Sequence, residues 1–167
     1  MRASLSTLLV PITALMTGLL SGCAATVSLA PAATYAADPG CAEVSVRLPD
    51  ELDGAPSRVT DAQGTAAWGE PASVLLRCGV EPPGPTTDRC ISISGVDWVE
   101  TQPGDDPDVF DYTTYGRVPA TTVTIDTAAA SSTNVLTDLS SVVAVLPAER
   151  GCVGANDIEI PESTPAP

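Results

Sequence analysis

Five cysteines constrain the fold of this 167-residue chain more than any other feature of its sequence. The last four, Cys41, Cys78, Cys90 and Cys152, span a stretch that is close to the commonest size of a domain. None of them lies in a Cys-x-x-Cys pair, so neither a thiol redox motif nor a zinc site is indicated. In an exported chain they would form two structural disulfides, for which three pairings are possible.

The N-terminal segment has the composition of an export signal. Arg2 precedes an apolar stretch from about Leu5 to Leu20, which is too short to span a membrane comfortably. The stretch ends at Leu20-Ser21-Gly22-Cys23, which resembles the lipobox of bacterial lipoproteins, in which the Cys thiol accepts a diacylglycerol. We therefore expect a lipoprotein signal peptide over residues 1–22 and lipidation of Cys23.

A different interpretation of the same segment remains open. Cys23 could be an incidental small residue, with ordinary cleavage later, around Ala30-Pro31-Ala32. The cysteine count favours the lipid, since acylation of Cys23 leaves four cysteines that pair evenly. The protein would then lie on the extracytoplasmic face of the cell membrane and be held there by its lipid anchor.

Charge and missing residue types exclude many common functions. The chain has no His and 7 Lys plus Arg, all of them Arg, against 21 Asp plus Glu, which gives a net charge of −14. Without His or Lys there is no Ser-His-Asp triad, His-ligated zinc or Schiff-base lysine. The acidity argues against nucleic acid as a partner. We expect no cofactor and no metal site.

Composition shifts divide the mature chain into three parts. Residues 23–40 start at the lipidated cysteine and are rich in Ala and Pro, which is typical of a flexible tether. Residues 41–152 form a single domain. Residues 153–167 mix acids with Pro and small residues, as a disordered tail does.

The domain is predicted to be α+β, with a small antiparallel sheet of about five strands packed by one or two helices. Apolar residues recur at helical spacing from Ser132 to Leu146, where Ser131 is among the residues that could cap the helix and Pro147 stops it. A shorter run, Cys41 to Leu48, could be helix or strand, and its flanking prolines favour a helix. The strand candidates, which are separated by short connectors, are Val74–Cys78, Ile91–Ser94, Val96–Thr101, Phe110–Tyr115 and Thr121–Asp126.

Four short motifs resemble a known family: Ala67-Trp68-Gly69-Glu70-Pro71, Leu76-Arg77-Cys78-Gly79-Val80, Gly95-Val96-Asp97-Trp98 and Thr114-Tyr115-Gly116-Arg117. The family is an actinobacterial set of secreted, often lipid-anchored proteins that is catalogued only as a domain of unknown function. The resemblance covers essentially Cys41 to Cys152, and it implies a Gram-positive, high-GC source and an envelope location. It also favours pairing Cys41 with Cys78 and Cys90 with Cys152, because family members with two cysteines keep the equivalents of the first pair.

Four motif residues are the candidates for a recognition surface: Trp68, Arg77, Trp98 and Arg117. Arginine can bind a carboxylate or phosphate with two parallel hydrogen bonds, and tryptophan supplies an apolar or stacking wall. The alternative is structural. In that case both tryptophans pack in the core, and the arginines pair with carboxylates such as Asp97 and Glu70.

The acidic residues offer weaker hypotheses. The densest group, Asp105, Asp106, Asp108 and Asp111, does not match the spacing of an EF-hand loop, and a solvated acidic turn is expected instead of a calcium site. A carboxylate pair drawn from Asp97, Glu100 and Asp111 is the remaining route to catalysis, as in glycoside hydrolysis. No motif selects such a pair, so we designate no catalytic residue.

The sequence thus favours a lipid-anchored envelope protein that is not an enzyme. We expect a binding or accessory module whose partner is an unidentified envelope protein or cell-wall component. The alternative is a carboxylate-dependent hydrolase that acts on envelope glycans or peptides.

Overall fold

A sheet of eight antiparallel strands dominates the computed structural model, which describes residues 25–153. The strands are β1 (Glu51–Leu52), β2 (Ala55–Arg58), β3 (Thr65–Trp68), β4 (Val74–Val80), β5 (Arg89–Ile93), β6 (Val96–Thr101), β7 (Val109–Thr114) and β8 (Ala120–Asp126). Their order in the sheet is β1-β2-β3-β4-β8-β7-β6-β5. The sheet therefore consists of two four-stranded meanders that meet where β4 pairs with β8.

The α+β class is confirmed, but the prediction of about five strands is wrong. The five predicted strands correspond to β4–β8, whereas β1, β2 and β3, the other three strands of the first meander, were missed. Those three are two to four residues long and contain mainly Ala, Pro, Ser and charged residues. They lack the β-branched alternation that identifies a strand, and they are held in the sheet by successive pairing, since β3 pairs with β4, β2 with β3 and β1 with β2.

Two helices, α1 (Pro39–Ser45) and α2 (Ser132–Val143), accompany the sheet. The predicted second helix is confirmed, although it ends at Val143 and not at Leu146. Ser131 caps it by accepting the Asn134 N–H at 3.4 Å. Neither helix in residues 25–153 is long and apolar enough to cross a membrane.

One face of the sheet carries the core. Side chains alternate between the two faces of a strand, so Val74, Leu76 and Cys78 of β4 point to the same side. These residues belong to one buried cluster that also contains residues of α1 and α2. We call this the inner face. The opposite, outer face includes Leu75 and Arg77, which are half-buried.

The N-terminal segment, residues 25–38, lies against the domain. Two backbone hydrogen bonds hold it, from the Val27 N–H to the Val59 carbonyl (2.9 Å) and from the Tyr35 N–H to the Gly79 carbonyl (2.8 Å). Leu29 and Ala36 are only 4% and 5% exposed. The prediction of a flexible tether is therefore wrong for these residues, because the domain provides burial sites and hydrogen-bond partners that composition does not reveal.

The C-terminal segment, residues 148–153, returns to the sheet at its other margin. The Glu149 N–H donates to the Gly116 carbonyl (2.8 Å), and the Cys152 N–H donates to the Asp97 carboxylate (2.7 Å). The predicted signal peptide, Cys23 and all of the predicted tail except Val153 lie outside the described residues.

Two disulfides join distant parts of the domain. Cys41–Cys78 links α1 to β4 across 37 residues, and Cys90–Cys152 links β5 to the C-terminal segment across 62 residues. This is the pairing that the family resemblance favours. The first disulfide is buried in the core, whereas both cysteines of the second are half-exposed.

Removal of the Cys41–Cys78 disulfide is expected to destabilise the domain strongly. The double variant Cys41→Ala/Cys78→Ala should lose about 4 kcal/mol of unfolding free energy, because the open chain gains conformational entropy. Urea denaturation measures this loss. Cys23→Ala, which breaks neither bridge, is the control and should not change the unfolding free energy. A loss below about 1 kcal/mol in the double variant would contradict the expectation.

A second prediction concerns Asp53, which holds the start of α2. Its carboxylate accepts hydrogen bonds from Asn134 Nδ2 (2.8 Å) and from the Ser131 N–H (2.7 Å). These hydrogen bonds lower the pKa of Asp53, and the bond from Asn134 has the larger effect. The stabilisation is therefore fully present above the ordinary aspartate pKa of about 3.9 and is lost as the pH falls through the lowered value.

Asp53→Asn is the suitable variant, because Asn also tolerates the positive φ of 49° at this position. It should cost about 0.5–1 kcal/mol at pH 7, a modest amount for a helix-capping contact at an exposed site. In urea denaturation the difference from wild type should shrink as the pH falls below the ordinary aspartate pKa of about 3.9, and it should vanish once the Asp53 carboxylate of the folded protein is protonated. Asp138→Asn, at an exposed position on α2, is the control. A difference that does not depend on pH would refute the assignment.

Candidate functional site

The two predicted tryptophans do not contribute to a surface. Trp68 and Trp98 are both fully buried in the core. The Trp68 Nε1–H donates to the Pro49 carbonyl (3.0 Å), and the Trp98 Nε1–H donates to the Ser140 hydroxyl (3.4 Å). Both indole N–H groups are therefore satisfied inside the protein, and the structural alternative describes these residues correctly.

Arg117 is also a structural residue. It is 7% exposed, and its guanidinium donates hydrogen bonds to the carbonyls of Leu146 and Ala144, just beyond the end of α2. A cation at this position compensates the negative end of the helix dipole. Burial lowers the pKa of Arg117, and the nearby Asp97 carboxylate opposes that shift. Arg117 is thus held by backbone carbonyls rather than presented to a ligand.

Arg77 lies on the outer face of β4 and binds the N-terminal segment. Its guanidinium donates to the Pro31 carbonyl (3.1 Å). The predicted partner of the motif arginines, Glu70, instead forms an ion pair with Arg58. The four predicted residues therefore do not form one recognition surface, because two lie in the core and two contact the backbone of other segments.

Two glycines of the motifs allow the terminal segments to approach the sheet. Gly79 has a φ of +90°, and a Cβ at this position would overlap the backbone of Tyr35 and Ala36. Gly116 has a φ of +72°, and a Cβ there would overlap the Arg150 carbonyl. Only glycine adopts a positive φ readily and has no Cβ that would overlap the neighbouring backbone.

The three candidate catalytic carboxylates are kept apart by the strand register. Glu100 faces the inner side of the sheet, opposite Tyr112, while Asp97 and Asp111 face the outer side. Asp97 and Asp111 are separated by a distance along the strands equivalent to four residues, or about 13 Å. Both of these carboxylates already have a partner, since Asp97 accepts a hydrogen bond from the Cys152 N–H and Asp111 accepts one from the Thr124 hydroxyl. No two of them face each other across a cleft.

Of the predicted acidic turn, Asp105, Asp106 and Asp108 are exposed between β6 and β7, as expected, whereas Asp111 is half-buried in β7. The Asp106 carboxylate accepts the Asp108 N–H at 3.0 Å, which is a local contact typical of turns. Across residues 25–153 no three His, Cys, Asp or Glu side chains are grouped so that they could hold a metal ion.

A cleft on the outer face gives the best alternative site. It has a volume of about 310 Å³ and lies beside the Cys90–Cys152 disulfide. We call it the disulfide cleft, and its lining residues are Thr86, Thr87, Asp88, Cys90, Tyr115, Cys152 and Val153. Three parts of the chain that are distant in sequence therefore contribute to it: the β4–β5 connection with the start of β5, the residue that follows β7, and the C-terminal segment.

Backbone and side-chain contacts fix the walls of the disulfide cleft. The Tyr115 N–H donates to the Asp97 carbonyl (2.8 Å), while the Asp97 carboxylate holds the Cys152 N–H. The guanidinium of Arg150 lies over the Tyr115 ring, 5.7 Å from its centroid, at a distance suitable for a cation–π contact. Within the β4–β5 connection, the Thr86 hydroxyl donates to the Asp88 carboxylate (2.7 Å).

The disulfide cleft combines an aromatic ring, hydroxyl groups and a carboxylate in one shallow concave surface. This combination can stack on an apolar ring face and can accept or donate hydrogen bonds to a polar ligand. The sequence does not indicate this site, because its walls meet only in the folded chain. Tyr115 was the available clue, since it lies in the same motif as Arg117.

The two motif arginines differ in burial, which yields a testable difference in stability. Arg117→Met should lose about 2–3 kcal/mol of unfolding free energy, because it leaves buried carbonyls without a donor. Arg77→Met, the matched control at a half-buried position, should lose less than about 1 kcal/mol. Urea denaturation of both variants tests this. Equal losses would show that Arg117 is not the capping residue of α2.

Comparison with known proteins identifies one family. Its model is described as Protein of unknown function (DUF3515), and it matches residues 4–150. No curated protein and no solved structure matches the chain. Since the match covers most of the sequence, it confirms the resemblance indicated by the four motifs. The chain belongs to this DUF3515 family of proteins of unknown function.

Proposed function

We propose that this protein is a lipid-anchored, extracytoplasmic binding module of the bacterial cell envelope, and that it recognises its partner through the disulfide cleft. The observation that carries the proposal is the cleft itself, where Tyr115, Asp88 and the threonines of the β4–β5 connection converge. The partner is an envelope protein or a cell-wall component.

The two disulfides support an extracytoplasmic location. Disulfides form and persist in oxidising compartments and are rare in the cytosol. All four cysteines of the described domain are paired. An export signal followed by a lipobox at Cys23 agrees with that location and leaves Cys23 as the remaining thiol for a lipid.

The chemistry of the disulfide cleft supports recognition of a polar partner that also has apolar faces. Tyr115 provides the aromatic wall, while Thr86, Thr87 and Asp88 provide hydroxyl and carboxylate groups. Saccharide rings and peptides of the envelope both offer hydroxyl or amide groups next to apolar C–H faces. With a net charge of −14, the protein is poorly suited to an anionic polymer as its principal ligand.

The lipid anchor can be tested with Cys23→Ala. In cells fed an alkyne-tagged fatty acid, the wild-type protein should be labelled and found in the membrane fraction. The variant should be unlabelled and released. Ser21→Ala keeps a small residue in the lipobox and should behave like wild type, so it serves as the control. Retention of Cys23→Ala in the membrane fraction would contradict lipid anchoring.

The binding site can be tested by crosslinking in intact cells. A photoreactive amino acid at Thr87, in the disulfide cleft, should capture a partner that the same group at Thr137, exposed on α2, does not capture. Tyr115→Ala should reduce capture about tenfold, as expected for loss of an aromatic anchor. Tyr35→Ala, which removes an exposed tyrosine outside the cleft, is the matched control. Identical capture at Thr87 and Thr137 would overturn the assignment of the cleft.

A further inference from the structure

The N-terminal segment begins its contacts with the domain at its first described residue. The Ala25 carbonyl accepts a hydrogen bond from Arg58 Nη2 at 2.6 Å. The Leu29 N–H and the Ser28 hydroxyl then donate to the Asp61 carboxylate, each at 2.7 Å. These bonds, with those of Val27 and Tyr35 already described, leave no free stretch between residue 25 and α1.

The direction of the segment is set by its pairing with the chain that follows β2. Val27 forms a parallel bridge with Thr60, so the segment runs in the same direction as β2. Its start therefore lies near Arg58, which also donates to the Gly69 carbonyl (2.8 Å) and pairs with Glu70. The chain reaches the domain at the β3–β4 turn, on the margin of the sheet formed by the first meander.

The distance available to a lipid anchor is very short. Only Ala24 separates Cys23 from Ala25, and two residues of extended chain span at most about 7 Å. A flexible tether of the predicted length would have extended about 20–25 Å. A diacylglycerol on Cys23 therefore keeps Ala25 next to the headgroups.

We propose that the membrane surface docks against the margin of the sheet around Ala25, Val59 and Glu70, so that the domain is mounted directly on the bilayer. This inference rests on the proposed lipidation of Cys23. Val59 is 68% exposed on this margin and gives the headgroup region an apolar side chain. The charges of Arg58 and Glu70 cancel within their ion pair, which lowers the electrostatic cost of approaching lipid.

The acidic turn between β6 and β7 limits the possible tilt of the domain. Asp105, Asp106 and Asp108 are exposed there, on the second meander. An anionic bilayer repels these carboxylates, so the domain rests on the margin of the first meander and keeps the second meander away from the surface. The contact is thus confined to the region of the anchor.

This mounting places the disulfide cleft far from the lipid. The anchor margin lies at β2 and the cleft lies at β5, which is six strand spacings away in the sheet order. At about 4.8 Å per spacing the two are about 29 Å apart before twist is considered. The disulfide cleft is therefore held away from the membrane, near the sheet margin opposite the anchor.

Docking of the N-terminal segment can be tested without the lipid. The experiment uses the full chain with Cys23→Ala. In NMR relaxation measurements, the order parameters of the Leu29 and Tyr35 amides should be about 0.85, as in a rigid backbone. A flexible tether would give values below about 0.6 and would overturn the proposal. Asp61→Ala should lower the value at Leu29, while Asp138→Ala, on the surface of α2, should leave it unchanged.

The mounting itself can be tested by neutron reflectometry on the lipidated protein bound to a supported bilayer that contains phosphatidylglycerol. The protein layer should begin at the headgroups with no water-filled gap. Insertion of a flexible segment of ten residues, all Gly or Ser, between Ala24 and Ala25 should open a hydrated layer of about 15–20 Å. A hydrated gap beneath the wild-type protein would overturn the direct mounting alone. Absence of the lipid from the wild-type protein would instead overturn the proposed function on which it rests.

Discussion

Strand β4 pairs with β8 from Val74 to Val80, and this pairing joins the two meanders into one sheet. The same strand carries the contacts that fix the rest of the domain. Cys78 ties α1 to the inner face, while Arg77 and Gly79 hold the N-terminal segment. Without this central pairing each meander would expose a half-covered apolar face, because residues of both meanders form the single buried cluster.

The motifs that relate this chain to its family are therefore largely structural. Trp68 and Trp98 fill the core, Arg117 caps α2, and Gly79 and Gly116 let the terminal segments approach the sheet closely. Since these residues are already occupied, the recognition that we propose uses other parts of the surface. The disulfide cleft contains one motif residue, Tyr115, and apart from Cys90 of β5 it otherwise consists of loop and terminal residues, which can differ between proteins of the same architecture.

Sequence analysis could predict those elements whose side chains alternate or recur regularly. Strands β4–β8 are rich in Val, Ile and Thr, and α2 carries an apolar stripe from Val135 to Val143, so local patterns identify them. Strands β1–β3 were not predictable, because these short strands depend on successive pairing that starts from β4. Docking of residues 25–38 was hidden for the same reason, since it depends on Asp61 and Gly79, which lie far away in sequence. The capping role of Arg117 depends likewise on carbonyls about thirty residues later.

Both terminal segments are expected to belong to the same cooperative unit as the sheet. Native-state hydrogen exchange tests this expectation most directly, because it reports the free energy needed to open each amide. The Tyr35 and Cys152 amides, which donate to Gly79 and Asp97, should exchange with the same opening free energy as the Leu76 amide at the centre of β4. Opening free energies several kcal/mol lower at Tyr35 and Cys152 would show that the segments detach independently, and would contradict both the rigid mounting and a preformed cleft.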